Sequence, residues 1–195
     1  MSIALCLIAY FVGSISSAIV LCRLAGLPDP RSQGSGNPGA TNVLRFGGRS
    51  LAAKVLIGDM LKGLLPVLFA YWVDGTTSVL AAVALCAFLG HLYPVFFDFR
   101  CGKGVATAFG VILGIMWPVA LALLVTWIVI AALSKISSLG ALVAAIAAPF
   151  YAWYISEHNQ YVILTGIISI LLIWRHRSNI QQLLAGTEDK INSSS

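Results

Sequence analysis

The sequence predicts an all-α integral membrane protein of seven transmembrane helices, with the N-terminus outside and the C-terminus in the cytoplasm. Three observations predict it. The hydrophobic set AVILMFWYC supplies 59% of the 195 residues, and Asp, Glu, Lys and Arg only 10%, against roughly 45–50% and about 25% in soluble domains. Apolar runs recur at close to the roughly 20 residues that one bilayer crossing needs. The basic residues collect on a single side when the runs are threaded seven times through a membrane. Such a chain has no room for a separate soluble domain, so 1–195 reads as one transmembrane domain whose chemistry sits in cytoplasmic loops and helix ends.

Apolar runs lie at about 2–22, 51–73, 78–97, 104–134, 137–155 and 160–174. The first has no basic flank before it and reads as a retained span rather than a removed signal peptide. The fourth is too long for one crossing, about 46 Å at 1.5 Å per residue. Trp117-Pro118 near its middle reads as an interfacial aromatic followed by a helix restart, which divides the run into two short spans. Seven spans place Arg23, Arg31, Arg45, Arg49, Arg100, Lys103, Lys135, Arg175, Arg177 and Lys190 inside and no Lys or Arg outside, whereas six spans would leave four of them outside. Lys54 and Lys62 fall within the second span. The outer loops 74–78 and 156–160 are too short for a site, no internal repeat is visible, and only the final NSSS looks disordered.

A net charge of +5 on so apolar a chain points to lipid and small anions as partners, not nucleic acid. Cys6, Cys22, Cys86 and Cys101 lack metal-ligand or disulfide-scaffold spacing, and no metal site is expected. The first cytoplasmic loop reads Gly34-Ser35-Gly36-Asn37-Pro38-Gly39-Ala40-Thr41-Asn42-Val43-Leu44-Arg45. It matches G-x-G-x-x-G formally, with Asp59 some 20 positions on, but without a preceding strand the dinucleotide reading fails. What survives is anion chemistry. Glycines let backbone N–H groups converge, Ser35, Asn37, Thr41 and Asn42 add neutral donors, and Arg45 can grip phosphate bidentately. A plain interfacial loop is the competing reading.

In the second span Asp59 and Lys62 stand at i and i+3, either as a packing ion pair or as a second shell orienting the phosphate loop. The run Gly90-His91 to Gly102-Lys103-Gly104-Val105-Ala106-Thr107 brings Arg100 and Lys103 to a turn that opens the next helix, where the dipole favours anions. His91 is a candidate general base or a carbonyl-capping histidine. Position 96 is Phe, so the H-x-x-x-x-D dyad that one class of acyltransferases uses is absent. Cys101 between two cations is a candidate nucleophile. Ser138 opens the sixth span as a cap or as a group lining the site. In the tail, His176 and Asn179 add donors on one helix face beyond what an anchor of arginines needs.

Together GSGNPGATNVLR, GDMLKG, GHLYPVFFDFRCGKGVAT and RHRSNIQQLLAGTE resemble the bacterial acyl-phosphate:glycerol-3-phosphate acyltransferase (PlsY) family over almost the whole chain. The resemblance implies a small seven-helix enzyme of the bacterial cytoplasmic membrane with its site facing the cytoplasm. It implies transfer of an acyl group from acyl phosphate to the sn-1 hydroxyl of glycerol 3-phosphate, giving lysophosphatidic acid, with no cofactor, metal or coenzyme A. Catalytic roles then fall on Ser35, Lys103, His176 and Asn179. Substrate binding falls on Gly34, Gly36, Asn37, Thr41, Asn42, Arg45, His91, Arg100, Gly102, Gly104, Thr107 and Ser138, with Asp59 and Lys62 behind them. Where the family usually has Gly, this chain has Cys101, which argues against a catalytic thiol. A monomer in a lipid bilayer is expected, with glycerol 3-phosphate and acyl phosphate as its partners. An anion or phosphate-ester transporter is the runner-up, and a non-catalytic assembly subunit is third.

Overall fold

The computed structural model describes residues 2–100 and 102–191, and no strand occurs among them. The expectations for Cys101 and for the final residues 192–195 fall outside the described residues. The helices are α1 (Ser2–Gly13), α2 (Ser17–Leu24), α3 (Ala40–Val73), α4 (Thr77–Leu92), α5 (Val105–Ile115), α6 (Trp117–Ser134), α7 (Ser137–Ile155), α8 (Asn159–Arg175) and α9 (Arg177–Leu184), with a 3₁₀ turn at Pro30–Ser32. They form two compact units, Met1–Ile115 and Met116–Ser195.

The apolar runs became helices, but the first two are shaped differently from expectation. The first is bent by 44° between α1 and α2. Ser14 turns its hydroxyl back onto the Tyr10 carbonyl at 2.8 Å, and Ser16 caps α2 through the Ile19 amide. These side-chain bonds offer the backbone an alternative to continuous helix. The carbonyl that the break frees, on Ile15, accepts a 2.7 Å bond from Lys62 Nζ. A polar group released at membrane depth needs such a protein partner.

The second run starts earlier than expected, at Ala40, so Thr41, Asn42 and Arg45 ride on a helix rather than in a loop. That helix breaks at Gly48, whose φ of +79° suits glycine. The fourth run does divide at Met116. Its first piece, α5, is 11 residues, about 16 Å long. Two helices, α6 and α7, are long and apolar enough to cross a bilayer alone, and the bent pair α1–α2 would make a third.

In the first unit the helices approach through glycine. A Cβ on Gly13 would lie 2.1 Å from the Ala87 carbonyl oxygen, and one on Gly90 would lie 2.2 Å from that of Tyr10, which draws α1 onto α4. Gly63 and Gly110 do the same for α3 and α5, with the Met60 oxygen 2.1 Å from the Cβ position of Gly110. Small residues replace the hydrophobic driving force that lipid removes, because they let backbones pack closely. Beside the loop that follows α2, buried Ala18, Cys22, Val43, Ala52 and Val55 clamp α2 to the start of α3.

In the second unit α6 and α7 are joined by Lys135 in a left-handed cap, and Trp127 Nε1 donates to the Ser137 carbonyl at 3.2 Å. Ser169 of α8 donates to the Ala145 carbonyl of α7 at 2.6 Å. After α9 the chain returns, and the Ile191 amide donates to the Lys135 carbonyl at 2.8 Å.

Candidate active site

The glycine-rich loop is built around Asn42. Its amide nitrogen donates to the Pro30 and Gln33 carbonyls, both at 2.9 Å, and its Oδ1 accepts from the Ser35 amide at 3.0 Å. Gly34, at φ +52°, passes so close that a Cβ would lie 2.4 Å from that oxygen. Asn42 is buried and fully engaged in this way, so the expected substrate donor is instead the post on which the loop hangs.

Because α3 begins at Ala40, its residues divide by face. Asn42 and Val43 point inward and are buried, while Thr41 and Arg45, four apart on one face, are exposed, as are Gly34, Ser35 and Gly36. Asn37 is half-buried and reaches over Gly39, whose Cβ position lies 2.9 Å from Asn37 Nδ2. Gly39 itself provides no side-chain cap for α3.

The loop between α4 and α5 meets this one through Arg31, a residue expected only to mark the cytoplasmic side. Its guanidinium grips Asp29 through Nε at 3.1 Å and Nη2 at 2.8 Å, while Nη1 reaches the Phe97 carbonyl at 3.4 Å and Asp98 at 3.6 Å. The hydrogen bonds from Arg31 hold the Asp29 carboxyl below its ordinary range, and Asp29 in turn raises the guanidinium. The Asp-x-Arg spacing at 29–31, with Asp29 also accepting from the Arg31 amide, was the available signal. Asp98 and Phe99 both adopt positive φ, +54° and +55°, a conformation that costs non-glycine residues of order 1 kcal/mol each. An open cleft of about 450 Å³ is lined by Arg31, Gly36, Pro38, Asp98 and Arg100. The structure thus brings expected Gly36 and Arg100 together.

Behind the cleft, Gly102 and Gly104 are buried and Lys103 half-buried between them. A Cβ on Gly104 (φ +89°) would meet the Phe88 ring at 2.7 Å. His91 and Thr107, both expected to bind substrate, are buried and bonded to each other at 3.1 Å, with Thr107 also donating to the Asp59 carbonyl at 2.9 Å. Thr107 therefore joins helices rather than facing a ligand. Asp59 and Lys62 form the expected i, i+3 ion pair at 2.9 Å. The pair reaches the turn before α5 through His91, and the break before α2 through Lys62.

In the second unit His176 caps a carbonyl. Its Nδ1 lies 2.8 Å from the Leu172 carbonyl, which can only accept, so Nδ1 carries the hydrogen. Asn179 is buried and donates to Glu188 Oε1 at 2.6 Å, and Ser138 donates to the same oxygen at 2.5 Å. Ser138 is thus not the cap of α7, which Ile136 precedes without a side-chain bond. Glu188 went unnoticed in the sequence, although it closes the tail motif. Its other oxygen is buried without a hydrogen-bond partner, and it pins the returning tail to α7 and α9.

The profile of the family described as glycerol-3-phosphate acyltransferase matches residues 3–186. The glycerol-3-phosphate acyltransferase of Thioalkalivibrio sulfidiphilus is 57% identical over 190 residues, 97% of this chain and 94% of that protein. That of Methylococcus capsulatus is 52% identical over 185 residues, 95% and 93% of the two chains. Among solved structures, the glycerol 3-phosphate form of PlsY (YgiH), an integral membrane glycerol 3-phosphate acyltransferase, superposes with a TM-score of 0.93 at 39% identity, covering 97% of this chain and 94% of that one. The lysophosphatidic acid form gives 0.91 at 38% identity over the same shares.

Proposed function

Because the chain belongs to the glycerol-3-phosphate acyltransferase family, we propose that it moves a fatty acyl group from acyl phosphate to the sn-1 hydroxyl of glycerol 3-phosphate. The products are lysophosphatidic acid and inorganic phosphate, and the step opens phospholipid synthesis. The observation that carries the reading is the set of exposed donors Ser35, Thr41 and Arg45 on a loop and helix start beside the cleft of Arg31 and Arg100. They are phosphate-binding groups on an otherwise apolar chain.

The family resemblance carries phosphate binding onto Ser35, Asn37, Arg45 and Lys103, and recognition of glycerol 3-phosphate onto His176 and Asn179. An acyl phosphate is a mixed anhydride with a good leaving group, so the attacking hydroxyl needs little activation. Its oxygen bonds to the acyl carbon, the bond from that carbon to the phosphate oxygen breaks, and the departing phosphate takes the hydroxyl proton. A phosphate ester with a second pKa near 6 is already mostly a base at neutral pH. Lys103 neutralises the charge that develops there, so Lys103→Ala is expected to lose about 10²–10³ in turnover, as with an oxyanion donor.

Seven spans with the site at the cytoplasmic face of the bacterial inner membrane fit this chemistry, since glycerol 3-phosphate is soluble and the acyl chain is not. Exposed Tyr71, Trp72, Trp117, Trp153 and Tyr154 all fall at the outer ends that this threading assigns, as an interfacial aromatic belt should. A transporter would use the break between α1 and α2 to hold an ion. Here Lys62 and the Ile15 carbonyl satisfy each other, which supports the enzyme.

The test is purified protein in detergent, given glycerol 3-phosphate with either acyl phosphate or acyl coenzyme A. Lysophosphatidate from acyl phosphate alone is expected, unaffected by EDTA. Product from the thioester alone, or from neither donor, contradicts the reading.

A further inference from the structure

Inside the first unit Asp59, Lys62, His91 and Thr107 are buried, and the acyl transfer set out above uses none of them. Their geometry fixes a proton. Thr107 Oγ1 lies 2.9 Å from the Asp59 carbonyl and 3.1 Å from His91 Nδ1. A hydroxyl has one hydrogen and a carbonyl only accepts, so Thr107 donates to Asp59 and the His91 Nδ1–H donates to Thr107. The Asp59 carboxylate, 4.0 Å from Nδ1, favours the hydrogen on that nitrogen. That carboxylate is itself held by Lys62 at 2.9 Å.

Lys62 already balances the Asp59 charge, and a second buried cation would be uncompensated, so the ring is neutral and its other edge presents the Nε2 lone pair, which faces Gly102. A Cβ there would lie 2.9 Å from His91 Nε2 and 3.2 Å from the Pro38 carbonyl oxygen. The backbone one residue before Lys103 is thus wedged between His91 and the end of the glycine-rich loop.

We propose that His91 is a positioning residue for Lys103: fixed as the Nδ1–H tautomer by Thr107 and the Asp59–Lys62 pair, it sets the Gly102 backbone from which Lys103 meets phosphate. The ring is neither the base of the reaction nor a substrate ligand. The inference rests on the acyl-transfer reading only for what Lys103 binds.

Two measurements on the full chain in detergent test it. The first is the imidazole ¹⁵N spectrum, with His91 assigned by its loss in His91→Gln or, should that variant not fold, by elimination using His158→Gln and His176→Gln. The wild-type signal is expected to be that of a neutral Nδ1–H ring, and Thr107→Val is expected to move it toward a tautomer mixture. An Nε2–H or imidazolium ring at neutral pH overturns the proposal.

The second measurement is a double-mutant cycle on kcat/KM. A misplaced catalytic group costs up to about a hundredfold, so His91→Gln, or Thr107→Val in its place, is expected to lose about ten- to a hundredfold in the wild-type background. With Lys103 already Ala the same change is expected to cost less than about threefold, because the residue acts through Lys103. An equal loss in both backgrounds overturns the proposal. Absence of product from wild-type protein would count against the acyl-transfer reading instead, and the imidazole signal would still decide the tautomer.

Discussion

Asn42 holds three backbone groups of one loop with a single side-chain amide, and removing it strands all three. The Pro30 carbonyl among them is buried, and orphaning it costs about 1–3 kcal/mol, so Asn42→Ala is expected to lower the melting temperature in detergent. Because the loop carries Ser35, KM for glycerol 3-phosphate should rise more than kcat falls. An unchanged KM would mean that the loop keeps its shape without Asn42. The Asp29–Arg31 fork makes a pH prediction of defined sign. Asp29 titrates below its ordinary value of 3.8 because of its bonds from Arg31. Its contribution to stability is therefore complete above about that pH and is lost as the pH falls through the lowered value. The difference in melting temperature between wild type and Asp29→Asn should be flat from neutral pH to about 5 and shrink below 4. A difference that grows on acidification would contradict the assignment. At this scale residue type is legible in the sequence but the facing of each side chain is not. Ser35, Arg45 and Lys103 were legible as anion chemistry from residue type. Asn42 and Thr107 turn inward because of where α3 starts and how α5 packs, and neither is written locally. The role of Glu188 is not legible, because a basic stretch after a span explains itself as an anchor.

Helices were readable from apolar runs, whereas the break within the first run was not. Ser14-Ile15-Ser16 is compatible with a helix, and the break there depends on Lys62, 47 residues away. The Trp117-Pro118 restart was visible because proline carries its own constraint on backbone geometry. Close helix contact through glycine is equally non-local, and it separates two substitutions that look alike in sequence. At Gly110 a methyl would meet the Met60 carbonyl at 2.1 Å, while at Gly166 nothing lies within 4 Å. Gly110→Ala must push α3 and α5 apart and is expected to cost about 1–3 kcal/mol or more. Gly166→Ala is expected to be neutral or to gain up to about 1 kcal/mol from helix propensity. Thermal unfolding of the two variants in the same detergent checks this, and equal effects would contradict the packing.

For the whole molecule, the segregation of ten basic residues to one side predicts the threading. In a background without Cys6, Cys22, Cys86 and Cys101, single cysteines at Gln33 and Thr76 should label from opposite sides of intact cells, Gln33 from the cytoplasm. Labelling of both from one side would remove the seven-span arrangement. That all the phosphate chemistry proposed for this chain lies on the cytoplasmic side follows from the same threading. The central claim is that the acyl carbon of acyl phosphate is attacked by glycerol 3-phosphate and that phosphate leaves with the hydroxyl proton. It is tested most directly with acyl phosphate labelled with ¹⁸O at the oxygen bridging carbon and phosphorus. The account predicts one inorganic phosphate per lysophosphatidate, with the bridging label in the phosphate and the acyl group at sn-1. Lysophosphatidate formed without phosphate release, or inorganic phosphate without the bridging label, would contradict it.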